Sequence, residues 1–330
     1  MKTAESVSPK HPDKLCDRIS DAILDACLEQ DPNSRVAIET MGGHGIITIT
    51  GELTTKAYVD MREIAKKIVG DKYGVQVNVV QQSPEIANGV DTGGAGDQGI
   101  MVGYACNDNE DMIPQELYLA RSLCKFIYHF YPFDGKTQIT LNEDGFIDTI
   151  VASFQNVPTD RLKSKVETWM ESCMALNPKK IERIYINPAG DWSQGGFEAD
   201  TGVTGRKLAV DNYGPQIPIG GGAFSGKDAT KVDRSGTYMA RKVAVDILKR
   251  TKAHEVIVKL AYAIGVSQPV MATADIDGIK CNLLEDSWKF TGEEYDLTPK
   301  GIIERLKLRE PQYEATAQWG HFGNKFTWDK

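Results

Sequence analysis

The sequence predicts a mixed α/β fold, α+β in its sheets, built from three similar ββαβ-type modules. Three observations carry this. A pair of strand-like runs followed by a helix-like run recurs three times along the 330 residues. No succession of β-α-β units appears, which argues for mixed sheets over a Rossmann-like parallel sheet. Glycine-rich connections near residues 88–99 and 188–205 punctuate the repeats, placing modules at 1–88, 95–192 and 193–330, with 89–94 a short loop.

In the first module a polar entry, Glu5 to Lys14, precedes a helix. Pro12 suits its first turn, Asp13 adds favourable charge there, and Leu15, Cys16, Ile19, Ile23, Cys27 and Leu28 recur at helical spacing to about Gln30. Residues 35–40 and 45–50 read as paired strands, 57–69 as a helix and 75–80 as a strand. The stretch Asn88 to Gly99 reads as a mobile loop or lid. The second module has a helix at 117–131, strands at 137–141 and 147–154, a helix at 160–176 and a strand at 183–186. The third has a strand at 206–211, a helix at 234–250, strands at 255–264 and 270–275, and a helix at 299–308.

Composition narrows the function. Charged residues are 25% and hydrophobic ones 41%, ordinary for a globular protein, and the net charge of −8 argues against nucleic-acid binding. The six cysteines are scattered without C-x-x-C pairs, which suits free thiols in a reducing compartment. No apolar stretch is long enough to span a membrane and no signal-peptide core begins the chain, so a cytoplasmic, membrane-free protein is expected.

Chemistry concentrates in Gly220 to Arg234, where three glycines lead to two lysines, a carboxylate and an arginine. Such a run suits a polyphosphate carrying a divalent metal, although a solvated surface loop also explains it. Gly221 to Lys227 spells the start of a P-loop, but Asp228 stands where a metal-binding hydroxyl belongs, which excludes that class. His11, Asp13 and Lys14 at a helix start fit an oxyanion donor and a metal ligand; taken alone, the stretch is explained more simply by a helix cap and a surface histidine, since such helix starts are common. Asp134, Lys136 and Gln138 alternate along a strand start, and Arg206-Lys207 follow the glycine-flanked run from Asp200. Asp97 sits between glycines, Glu39 and Glu52 lie on neighbouring strands, and Trp192 offers a stacking surface or a core ring. Dispersed over three modules, these clusters point to a site between modules that holds a metal-bearing polyanion.

Together, Glu5-Ser-Val-Ser, His11-Pro-Asp-Lys14, Gly94-Ala-Gly-Asp-Gln-Gly99, Gly202-Val-Thr-Gly-Arg-Lys207, Gly220 to Asp228, Lys231-Val-Asp-Arg-Ser235 and Tyr262-Ala-Ile-Gly-Val266 resemble the S-adenosylmethionine synthetase (methionine adenosyltransferase) family. The resemblance implies a pseudo-threefold arrangement of the modules. It also implies a homodimer with active sites between subunits, dimer or tetramer being open. The implied reaction joins ATP and L-methionine, the sulfur attacking ribose C5′ and expelling triphosphate, which is hydrolysed to pyrophosphate and phosphate.

Carried over by motif position, His11 assists triphosphate departure together with Lys136, Arg206 and Lys227. Asp134, Asp191, Trp192, Asp200, Lys207 and Ala223 join them around ATP. Glu52, Gln82, Asp97, Asp200 and Lys231 form the methionine set. Two Mg²⁺ per site would use Asp13 and Asp233, and K⁺ would use Glu39. A triphosphate hydrolase, or a silent nucleotide-binding regulatory subunit, is the alternative; the hydrolase would not need the methionine set. Departures from the family pattern are Pro9-Lys10 for Glu-Gly, Asp191-Trp192 for Arg-Phe, Ser153 to Asn156 for Ser-Thr-Gln-His, no lysine in Met41 to His44, and a shortened stretch from Ser83 to Gly94.

Overall fold

Sequence periodicity places most elements, and tertiary pairing supplies the rest. The computed structural model describes residues 1–82, 93–174, 181–285, 289, 292 and 294–330. The first section runs β1 (Lys2–Val7), α1 (Pro12–Leu28), β2 (Arg35–Gly43), β3 (Ile46–Thr54), α2 (Met61–Val69) and β4 (Gly74–Val80). The second runs β5 (Gly99–Cys106), α3 (Gln115–Phe130), β6 (Gly135–Leu141), β7 (Ile147–Phe154), α4 (Thr159–Met174) and β8 (Arg183–Ile186). The third runs β9 (Gly202–Val203), α5 (Leu208–Asp211), α6 (Val232–Thr251), β10 (Glu255–Tyr262), β11 (Met271–Ile276), β12 (Ile279–Asn282), α7 (Pro299–Leu306) and α8 (Tyr313–Trp319).

These strands form three four-stranded sheets with one repeated plan, ordered β9-β2-β3-β4, β1-β6-β7-β8 and β5-β10-β11-β12. In each, an antiparallel hairpin takes a third strand beside its second member. A strand from elsewhere in the chain pairs antiparallel with its first member. β4 and β8 return parallel after a crossover helix, whereas β12 follows β11 through a tight antiparallel turn. The third unit therefore departs from the ββαβ order of the other two.

The donated strands are what local pattern misses. β1 is a short, mostly polar run whose partner, Leu141 opposite Lys2, lies far along the chain. In β5, Gly103 packs on the α6 backbone, where a Cβ would come within 2.0 Å of the Ala240 carbonyl carbon. The strand expected at 206–211 is instead a turn leading into the short helix α5. Six residues of apolar-polar mixture cannot separate strand from helix, and Gly205, at φ +79, turns the chain into it. The expected lid from Asn88 to Thr92, and the end of the helix expected at 160–176, lie outside the described residues.

The apolar face of α1 is buried as its spacing predicts, with Ile19, Ile23 and Cys27 all at 0% exposure. That face and α6 share one continuous core with the first and third sheets, while α3 and α4 cover a second core on the central sheet. The six cysteines are free thiols. No described helix is long and apolar enough to cross a membrane.

Candidate active site

Two groups of charged side chains gather at the starts of α1 and α6. At α1, His11 is the N-cap, and its Nδ1 accepts the Asp13 N–H at 3.2 Å. Burial first, then the charges of Lys207 and Lys136, depress its pKa to about 3 against the pull of Asp13 and Asp200. The ring is therefore neutral at physiological pH. Because Nδ1 accepts, the proton resides on Nε2, leaving one donor. The 3.8 Å approach of Nδ1 to the Asp13 carboxylate is then no ion pair.

Asp13 Oδ1 accepts the Val203 N–H at 3.0 Å, and Oδ2 accepts from Lys207 Nζ at 2.6 Å. Arg206 Nη1 stands 3.6 Å from Oδ1. Burial opposes its charge, but Lys207 and Val203 N–H outweigh that and hold its pKa low. Lys136 is exposed and shares a strand face with half-buried Gln138, as their alternation predicts. Asp134 precedes the strand and is buried, its Oδ2 accepting the Gly196 N–H at 2.9 Å. Beside it opens a cavity of about 310 Å³ lined by Lys10, Tyr73, Phe133, Gln155 and Gly195 among others. Asp200 is exposed and closes on its own neighbour, accepting the Thr201 N–H at 2.8 Å.

Trp192 lies at the rim of this group, donating from Nε1 to Ser153 Oγ at 3.0 Å. Asp191 turns away from it. Its Oδ1 takes the Thr159 N–H at 2.9 Å and hydroxyl at 2.6 Å, capping α4. Asn156, at φ +57, donates its N–H to the Trp192 carbonyl at 2.8 Å. The departures at 156 and 191–192 thus meet in one loop junction, and Asn tolerates the left-handed backbone there.

At α6, Lys227 Nζ pairs with Asp233 Oδ2 at 2.7 Å, and Lys231 pairs with Asp228. Gly222 lies on Asp233, where a Cβ would come within 2.1 Å of the carboxyl carbon. Ala223 lies against Gly205, so the two glycine loops touch. Glu39 is exposed, drawn by Lys227 and repelled by Glu52. Glu52 stands on β3 opposite Ala37, two residues before Glu39 on the same face. Asp97 is half-buried in a loop pinned by Ala95, whose N–H reaches the Val266 carbonyl at 3.0 Å. Gln82 is half-buried, with no partner for its Oε1 among the described residues.

The structure thus brings His11, Asp13, Asp134, Lys136, Asp200, Arg206 and Lys207 into one group. Glu39, Glu52, Lys227, Lys231 and Asp233 form the other. Among the described residues no hydrogen bond or ion pair joins the groups. No described cluster of three or more His, Cys, Asp or Glu side chains is arranged for a metal. Asp13 and Asp233 are carboxylates that could each add a ligand to a divalent cation whose other oxygens come from phosphate and water.

The partners of Lys14 and Arg234 were not anticipated. Arg234, read from sequence as part of an anion-binding run, is fully buried and forks onto Asp21 at 2.7 and 2.9 Å. Lys14 bridges Asp211 at 2.5 Å and Asp17 at 3.5 Å. Asp13, Asp17, Asp21 and Asp25 recur every fourth residue on α1. That spacing was legible, but the partners were not. Buried His321 bonds the Tyr238 hydroxyl through Nδ1 at 2.8 Å.

Burial drives the His321 pKa well below the ordinary imidazole value, with Arg234 adding to it. The unfolded chain therefore binds an extra proton below pH about 6.5, and the contribution of His321 to stability falls as pH drops. Asp25, lifted by burial to about 6, acts oppositely, gaining stability toward low pH and losing it as pH rises through about 6. Comparison with His321→Gln isolates the histidine. The stability advantage of the parent should shrink by up to about 1.4 kcal/mol per pH unit between about 6.5 and 5. A pH-independent difference in denaturation midpoint would exclude a neutral buried His321.

Three four-stranded sheets on one plan, with cationic glycine loops at the starts of α1 and α6, define an α/β protein of three repeated units with charged loops suited to an anionic ligand. Residues 1–86, 92–192 and 194–330 match the N-terminal, central and C-terminal domains of S-adenosylmethionine synthetase. The chain belongs to the S-adenosylmethionine synthetase family. It is similar to the S-adenosylmethionine synthase of Brachyspira hyodysenteriae, 42% identical over 375 aligned positions, covering 99% of this chain and 95% of the relative. The synthases of Treponema denticola and Petrotoga mobilis are 41% and 40% identical, with the same coverage. These alignments, at 369 to 382 positions, exceed the 330 residues here, so the relatives carry segments this chain lacks.

Proposed function

We propose that this chain is a methionine adenosyltransferase that forms S-adenosylmethionine from ATP and L-methionine. Full-length similarity to proteins named synthase supports it over the hydrolase and silent-subunit readings. The observation that carries the chemistry is the neutral, buried His11 beside Lys207 and Lys136, with Arg206 on the neighbouring Asp13. Its Nε2–H is a donor with no charge of its own, placed where anionic charge would develop.

As the methionine sulfur bonds to C5′, the C5′–O bond breaks and triphosphate leaves with the bonding electrons. The thioether has no proton to lose, so no general base is required. His11 donates to the departing oxygen, Arg206 and Lys207 bind the triphosphate, and Lys227 joins them. Mg²⁺ held by Asp13 and Asp233 would neutralise phosphate charge, with the lysines now on those carboxylates turning to the phosphates. Trp192, Asp134 and Ala223 line the ATP pocket, with Asp191 at its edge through the α4 cap. Glu52, Gln82, Asp97, Asp200 and Lys231 receive methionine, and Glu39 would hold K⁺, whose charge would offset its repulsion by Glu52.

Glu52 and Lys231 of the methionine set lie in a different group from His11 and Asp200, which supports a homodimer whose partner completes each site. Exposed Met41, Ile46 and Val80, at 48%, 42% and 57%, lie on β2–β4 beside Glu39 and Glu52 and suit such a contact. The sequence modules 1–88, 95–192 and 193–330 would then meet around each site.

Incubation with ATP, L-methionine, Mg²⁺ and K⁺ should give S-adenosylmethionine, pyrophosphate and phosphate together, faster with K⁺ than with Na⁺. Phosphate without S-adenosylmethionine would mean a hydrolase, and ATP binding without turnover a silent subunit.

A further inference from the structure

Beyond Asp13 the acidic ladder of α1 takes no part in the reaction chemistry, yet Asp17 and Asp21, with Ser20 between them, end on the glycine loops that carry the cations. Asp17 Oδ1 accepts the Gly205 N–H at 2.7 Å, immediately before Arg206 and Lys207. Ser20 Oγ lies 2.9 Å from Thr204 Oγ1 in the same turn, and Thr204 Oγ1 in turn accepts the Thr40 N–H at 2.9 Å. Asp21 Oδ1 accepts the Gly226 N–H at 2.8 Å, immediately before Lys227. Gly205 and Gly226 both have positive φ, +79 and +81, where other residues are strained. Two acids one turn apart, about 6 Å along the axis of α1, therefore each hold one of these turns. Asp25 makes the same kind of contact one turn further, with the N–H groups of Gln312, Tyr313 and Glu314 at 2.8–3.0 Å, but that loop carries no site cation.

We propose that Asp17 and Ser20 are positioning residues: by holding the turn at Thr204-Gly205 they aim Arg206 and Lys207 at the polyphosphate. The proposal rests on the assignment of those two cations above. Neither Asp17 nor Ser20 touches substrate, so their effect must pass through the turn.

The test uses inorganic tripolyphosphate with Mg²⁺, titrated calorimetrically into the full chain, with the thermal midpoint recorded for each variant. Asp17→Ala should weaken binding about tenfold, a loss on the scale of one buried hydrogen bond to a charged group. Asp17→Asn, whose amide oxygen still accepts from Gly205, should recover most of it. Ser20→Ala, which removes no charge and keeps the fold if Asp17→Ala does not, should weaken binding about threefold. Asp25→Ala should lower the midpoint but change affinity less than about twofold, since it frees only α8.

Wild-type affinity in both Asp17→Ala and Ser20→Ala would overturn the positioning role. So would a loss in Asp25→Ala equal to that in Asp17→Ala, because general destabilisation would then explain both. Wild-type affinity in Arg206→Ala and Lys207→Ala would instead sink the cation assignment beneath it.

Discussion

His11→Ala is expected to slow formation of S-adenosylmethionine by about 10²–10³-fold, the usual effect of removing one oxyanion donor, while ATP affinity changes by less than about threefold. The asymmetry follows from the environment of the ring. His11 is buried, its pKa depressed to about 3, so on the proposed reading it would meet ATP as a neutral donor beside Lys207 and Lys136. Charge on the bridging oxygen grows only as the C5′–O bond breaks, and the hydrogen bond strengthens with it. Single-turnover rates and ATP affinity, measured on the same preparation, separate the two effects. Equal losses in rate and affinity would mean that His11 serves ground-state binding alone.

The second large effect is on stability. Asp21→Ala should destabilise the fold by about 3–5 kcal/mol, because it leaves the Arg234 guanidinium buried without its counter-ion. Burial by itself would lower the Arg234 pKa, but Asp21 more than reverses that. Arg234 also donates to the carbonyls of Phe224 and Lys227 at 3.0 and 3.1 Å, so the loop around Gly226 loosens with it. Denaturant unfolding measures the cost, and Asp21→Ala combined with Arg234→Met should recover most of it. A loss below about 1 kcal/mol in the single variant would show that water or another acid compensates the arginine.

Local elements were legible where periodicity was strong and missed where pairing was distant. The apolar stripe of α1 and the alternation in β2, β3, β6 and β7 each express a side chain's burial in its immediate neighbours. β1, β5 and β9 carry no such signature, because each is stabilised by a hairpin from another section of the chain. The same divide runs through the site. His11, Asp13, Lys207, Lys227 and Asp233 stood out as charges beside glycines and helix starts, and the structure places each in a charged group. Arg234 was misread as an anion ligand because its partner, Asp21, stands more than 200 residues away. Asp191, carried over to the ATP set by its position, spends its Oδ1 on Thr159 at the start of α4, a partner 32 residues away that no local spacing reveals.

By itself, then, the sequence determined the element types, the glycine turns, the charged residue set and the family resemblance, since all are written in residue identity and short spacing. Only the tertiary structure decided which strand completes each sheet, which acids hold loops and which remain for ligands, and that His11 is neutral. Those outcomes depend on burial and on contacts between distant segments, and neither is encoded in any short stretch of chain.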